Sequence, residues 1–422
     1  MKKIILAIAA VATISGAFAQ KNKVVSAYNY NKAFTRSQKC TELTKGINEI
    51  DQAITHDVTK NWAKTWYYRG NLYYNILASK DQACKAIDAD ALNKCTDSYF
   101  KALVYNFKDP ELKKLDLEKE DGSDLMKFMG ALQSQAKVDD EMYTGDIMMR
   151  KFPGLAIEFA NKGIQQFTDK DYKGAEESFG KSMFLSQLGG KIDTVIMYNT
   201  ALAAEYAEDT ETAKQMYDAL INLKYNTGGN GPSLYTSMYK IYKNEGDEEK
   251  ALMYIKKGRE AYPEDNNLLV TELDYYLQNG KHEEALANLN TAIEKDGSNP
   301  IYFFARGSVY DNLKQVDNAV ADYKKAIELK PDYFDPNYNL GAYYFNAAAD
   351  KINEANKLDL NATKKYNELK DAAKADFKSA VPYIEAAHKA MPEDVETANM
   401  LIKLYTQTGE YEKAKELKAK FK

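Results

Sequence analysis

The chain has 422 residues, with 57 Lys and Arg against 62 Asp and Glu and a formal net charge of −5. Nine Pro and 22 Gly are too few for a collagen-like or low-complexity chain. The mild acidity argues against a nucleic-acid binder, which carries a basic excess or a basic patch.

Residues 1–19 read as a cleaved secretory signal peptide. Lys2 and Lys3 form a basic start, Ile4 to Ile14 an apolar run, and Ala17-Phe18-Ala19 an A-x-A cleavage site before Gln20. The run is too short to span a bilayer, and no other stretch is long and apolar enough to do so. No cysteine follows the cleavage site, so a lipid anchor on the first mature residue is not expected. These signs place the mature chain in the periplasm of a Gram-negative bacterium or outside the cell. Three cysteines follow, Cys40, Cys84 and Cys95. Export favours a disulfide. Cys84 and Cys95 are the candidates for a bridge across a helical hairpin, the alternative being three free thiols.

Beyond the signal, Ala27 to Ala53 reads as a degenerate helical hairpin. Trp66-Tyr67-Tyr68-Arg69-Gly70-Asn71-Leu72-Tyr73 opens a clearer one, closed late by Tyr99 and Ala102. The stretch 109–155 fits no hairpin. It is charged from Lys113 to Asp124 and then Met-rich, with Met126, Met129, Met142, Met148 and Met149. Such a segment can repack around varied partners or fill core between stacked hairpins. From 156 onward a period of 34 residues emerges, in register over 232–265, 266–299 and 300–333. The small residues Ala251, Ala285 and Ala319 open the second helix of each. A large residue follows at Ile255, Leu289 and Tyr323, then a small one at Gly258, Ala292 and Ala326. Pro263, Pro331 and Pro392 follow Lys/Glu-rich helices and stop them. Units at 156–189 and 194–227 precede these three. A unit opening at Tyr338-Asn339-Leu340-Gly341 carries an insert at about 346–379, and 395–422 closes the chain. The insert reads as two overlong helices, either a docking arm or an elongation without a binding role.

This pattern resembles the tetratricopeptide repeat (TPR), W-x2-L-G-x2-Y followed by A-x3-F, A and P. The resemblance implies an all-α fold, a right-handed superhelix of stacked antiparallel helical hairpins. The hairpins lie at 20–108 and 156–422, and the Met-rich connector at 109–155 separates them. It also implies protein or peptide binding along the concave groove lined by first helices. Tyr67, Asn71, Tyr74, Tyr198, Phe304, Tyr338 and Phe345 are the groove candidates, about half of them expected to be exposed. The Lys/Asn/Arg clamp of the chaperone-binding TPR class is not found.

Chemistry is sparse. His56, His282 and His388 share no ligand spacing, so no metal site is expected. No nucleophile elbow and no Gly-rich phosphate loop occur, so no catalytic residues and no cofactor are expected. The reading is an exported, non-enzymatic TPR scaffold. The alternatives are a glycan-binding component of an outer-membrane assembly and a periplasmic hydrolase with an unrecognised site. Tyrosine stands out at 32 against 16 Phe and 2 Trp, since the repeat asks for an aromatic at several places per unit and this chain often uses Tyr.

Overall fold

The computed structural model describes residues 2–119, 121–359 and 361–420, with side chains from Gln20 onward. The predicted signal peptide, residues 1–19, lies outside the residues described at side-chain level. The chain is all-α. Among the described residues the one strand-like feature is an isolated antiparallel bridge between Phe107 and Val138. No helix of the described residues is long and apolar enough to cross a membrane.

The helices fall into two compact units, divided at Gly228 and Gly229. The first unit holds α1 (Lys2–Ser37), α2 (Cys40–Ala53), α3 (Ala63–Ala78), α4 (Gln82–Lys85), α5 (Ala91–Asn106), α6 (Ser123–Gln133) and α7 (Glu141–Asp146). A π-helical turn, Ile147–Lys151, leads into α8 (Phe152–Thr168), which is followed by α9 (Tyr172–Leu188), α10 (Thr194–Tyr206) and α11 (Thr210–Asn222). Packing pairs α1 with α2, α3 with α5, α8 with α9 and α10 with α11. The second unit holds α12 (Gly231–Asn244), α13 (Glu248–Ala261), α14 (Asn266–Gln278), α15 (His282–Lys295), α16 (Pro300–Asn312) and α17 (Val316–Leu329). It ends with α18 (Phe334–Asn356), α19 (Thr363–Ala390), α20 (Val395–Thr408) and α21 (Tyr411–Lys420). Here each odd helix packs on the even helix before it.

One local device makes most of these hairpins. The first helix ends in a residue of positive φ, at Lys170, Glu208, Gly246, Gly280, Lys314 and Gly409. The next N–H then reaches back over the turn, as from Asp171 to the Gln166 carbonyl at 2.8 Å and from Asp209 to the Ala204 carbonyl at 2.9 Å. This satisfies an orphan helix carbonyl. The same residue caps the second helix in three of the six. The carboxylates of Asp171, Asp209 and Asp247 accept from the N–H groups of Gly174, Thr212 and Lys250.

Close approach of the paired helices rests on small residues facing large ones. A Cβ on Gly70 would meet the Tyr99 ring at 2.6 Å, one on Gly163 the Phe179 ring at 2.7 Å, and one on Gly307 the Tyr323 ring at 2.8 Å. Gly341 is likewise covered by Ile384. Two of these three rings are tyrosines, and buried tyrosine hydroxyls find acceptors. Tyr99 donates to Asn71 Oδ1 at 2.8 Å, Tyr217 to Glu205 Oε2 at 2.5 Å, and Tyr405 to Glu385 Oε1 at 2.7 Å. Part of the tyrosine excess is therefore structural, with apolar rings in the core and hydroxyls at its edge, while Tyr28, Tyr206, Tyr343, Tyr366 and Tyr411 are exposed. In the first unit a continuous core runs from Val24 to Leu185. In the second, α18 to α21 share a core built on Ala348, Phe377, Ile384, Leu401 and Leu404.

Candidate functional site

The residues singled out as groove candidates divide between the units. On α3, Tyr67, Asn71 and Tyr74 are spaced by four and three and so share one face. That face is not open. The Tyr67 ring stacks on Tyr143 of α7 at 4.3 Å, and its hydroxyl donates to Asp146 Oδ2 at 2.8 Å. Burial and the neighbouring carboxylate push this phenol up to about 12. Asp146, only 8% exposed, also receives Arg150 Nε at 2.8 Å. Asn71 accepts the Tyr99 hydroxyl. Tyr74 lies against Gly154 at the start of α8, with Lys151 Nζ 4.1 Å from its ring centre. Burial pulls the Lys151 ammonium below its ordinary value. The connector thus covers in part the face that the repeat resemblance assigns to a partner.

The remaining candidates are half-buried and fixed by neighbouring rings. Tyr198 on α10 stacks on Tyr225 at 5.4 Å. In the second unit Phe304 sits between Tyr323 and Tyr333, at 6.0 and 5.4 Å. Tyr338 stacks on Phe334 at 5.8 Å, and Phe345 meets Phe377 edge-on at 5.5 Å. All seven candidates are partly exposed, rather than half of them open and half buried.

The cysteines correct the sequence reading. The disulfide joins Cys40 to Cys84, with Cα atoms 5.0 Å apart, and not Cys84 to Cys95. Cys95 is buried on α5 with its thiol toward the Gly70 carbonyl at 3.4 Å, and burial pushes that thiol far up. The pairing follows from α4, which the 34-residue pattern does not contain. It interrupts the α3–α5 hairpin and carries Cys84 to the start of α2. Asp81 lies beside the same two sulfurs, but both are held in the disulfide. The three histidines fall on separate elements, His56 after α2, His282 at the start of α15 and His388 near the end of α19.

Sequence reasoning missed one further feature. In the first unit α5, the segment 113–118, α6, α8 and α9 enclose a cleft of about 730 Å³. Phe159, Leu185 and Val104 form its buried floor, with Phe100, Phe184 and Leu117 among its walls. The signal was the alternation Leu115-Asp116-Leu117-Glu118 inside a segment that reads as merely charged.

Comparisons agree with this architecture. Residues 274–314 and 312–347 match the family described as TPR repeat. The BBSome complex member BBS4 of Bos taurus is 27% identical over 256 residues, covering 58% of this chain and 47% of that protein. The small glutamine-rich tetratricopeptide repeat-containing protein 2 of Saccharomyces cerevisiae is 32% identical over 143 residues, covering 32% of this chain and 37% of that protein. The chain thus spans less than half the length of these curated relatives. Among solved structures, a TPR repeats protein of Bacteroides fragilis shows 21% identity and a TM-score of 0.29, covering 60% of this chain and 98% of its own. Within the matched stretch lie the Gly280 and Lys314 turns and the contact of Gly307 with Tyr323, and the same turn and contact recur outside it. Residues 274–347 are thus tetratricopeptide repeat sequence, set in a chain of helical hairpins that share their turn and their small-to-large contact.

Proposed function

We propose that the chain is an exported, non-enzymatic scaffold that binds protein or peptide partners through the first-helix faces of its hairpins. TPR hairpins are a protein-interaction fold, and a relative named as a BBSome complex member accords with that role. The observation that carries the reading lies within the chain. α7 is a short helical segment seated on the α3 face, its Tyr143 ring stacked on Tyr67 and its Asp146 carboxylate receiving the Tyr67 hydroxyl. The face thus receives an aromatic side chain and an acid one helical turn apart. Phe304, Tyr338 and Phe345 offer comparable half-exposed rings on α16 and α18, held by their neighbours. Rings already fixed in place lose little rotamer freedom on binding. Export is supported by the basic start, apolar run and A-x-A site of residues 1–19, and it accords with the Cys40–Cys84 bridge.

A photo-crosslinking residue placed at Tyr338 or Phe345 in cells tests the binding face, with the covered Tyr67 position as control. The expected result is capture of a protein partner from the first two positions and little from the third. Capture of none, together with saturable oligosaccharide binding by the purified chain, would sink the scaffold reading. Terminal sequencing of the mature chain, expected to begin at Gln20, tests export separately.

A further inference from the structure

The first-unit cleft is not needed by the peptide-binding reading, and its chemistry differs from that of the first-helix faces. At about 730 Å³ it falls within the size range of small-molecule sites, roughly 300–1,000 Å³. Its floor and the inner part of its walls are hydrocarbon and aromatic, formed by Val104, Phe159, Leu185, Phe100, Phe184 and Leu117. Two of their polar neighbours are already engaged, since the Thr96 hydroxyl donates to the Leu92 carbonyl at 2.8 Å and Asn93 Nδ2 to Asp90 at 2.7 Å, which leaves Asn61 and Tyr105 at the cleft. A peptide backbone buried there would leave amides unpaired, at substantial cost. A hydrocarbon chain would leave nothing unpaired.

The charges at the mouth set the other end of the ligand. Lys101 is paired with Asp97 at 3.1 Å, Lys113 with Asp139 at 2.7 Å, and Lys114 with Glu111 at 2.6 Å. Lys181 on α9 differs. It bonds the neutral Asn93 Oδ1 at 3.2 Å and lies 5.5 Å from the centre of the Phe159 ring, with no carboxylate partner among the described residues. Asp116 and Glu118 stand exposed on the segment 113–118 and repel an anion there. One uncompensated cation thus borders an apolar cleft, at its α9 side. We propose that this cleft binds a free long-chain carboxylate, its hydrocarbon tail over Phe159 and Leu185 and its headgroup at Lys181.

The test titrates the purified full chain with dodecanoate, tetradecanoate and hexadecanoate, each below its aggregation concentration, and with the matching alcohols. Saturable one-to-one binding is expected, weakening about fourfold for each methylene removed. Lys181→Gln is expected to weaken the carboxylates about two- to fivefold, the range of an exposed ion pair, and to leave the alcohols unchanged. Phe184→Asp is expected to abolish binding of both. Should that variant unfold, Leu117→Asp on the half-exposed segment makes the same test. The proposal is overturned by absence of saturable binding, by affinity independent of chain length, by equal loss of acid and alcohol in Lys181→Gln, or by binding that survives a folded wall variant. Failure of this test leaves the first-helix reading intact, and failure of crosslinking leaves this one intact.

Discussion

At the scale of single residues, the hairpin turn carries a removable strain. Glu208 holds φ 63° and Gly246 holds φ 79° at equivalent places in successive turns. An L side chain there crowds the following carbonyl, at about 1–2 kcal/mol, and glycine avoids the clash but gains freedom when unfolded. Glu208 is exposed, so Glu208→Gly is expected to stabilise by about 0.5–1 kcal/mol net and Gly246→Ala to destabilise by a comparable amount. Denaturant unfolding of the two variants measures both signs, and a loss on Glu208→Gly would show that the side chain makes contacts worth more than the strain. The small-to-large contact is the second residue-scale feature. Gly163→Ala sets a methyl 2.7 Å from the Phe179 ring, which is 2% exposed and cannot swing out. Overpacking of this kind costs about 1–3 kcal/mol. Adding Phe179→Leu is expected to relieve part of it, giving a double-mutant coupling opposite in sign to that of an attractive pair. Both residues lie in the unit read at 156–189. The acceptors of the buried tyrosine hydroxyls were not legible in the sequence, because Asn71 and Glu385 lie on partner helices at no fixed offset from their tyrosines.

Between elements, α13 and α14 meet across Arg259 and Glu272, 3.7 Å apart, with side chains only 14% and 13% exposed. Burial raises the Glu272 carboxyl above its ordinary value although Arg259 pulls the other way. A carboxyl raised on folding contributes stability while it is protonated, and that contribution is lost as pH rises through the folded value. Glu272→Gln is uncharged throughout, so it should gain on the parent chain as pH climbs from about 4 toward neutrality. Melting curves of both proteins across that range decide the matter. A gap that stays constant with pH would mean that the ion pair compensates the burial. Elements also set the limits of what could be read from sequence. The array 232–333 was legible because each unit repeats the same two helices in the same register. The disulfide and the cleft were not, because α4 and the segment 113–118 are insertions without a counterpart in any other unit. The same holds for the α3 face, half-buried by a connector that periodicity could only leave unassigned.

Across the whole molecule, two units each enclose their own core and are joined through exposed residues 226–229. Lys224, at φ 53°, is exposed just before that joint. A segment with few buried contacts opens locally far more readily than packed helices do. Brief trypsin treatment is therefore expected to cut at Lys224 and to give two resistant fragments. The Cys40–Cys84 bridge belongs to the first unit alone and links positions 44 residues apart. Bridges of that kind contribute about 2–4 kcal/mol, so their loss is felt within the unit they close. Reduction should speed digestion of the N-terminal fragment and leave the C-terminal one as resistant as before. Before reduction the unfolded chain should show one reactive thiol, that of Cys95. Three thiols, or equal sensitivity of both fragments to reductant, would refute this account of the pairing and of where its stabilisation acts.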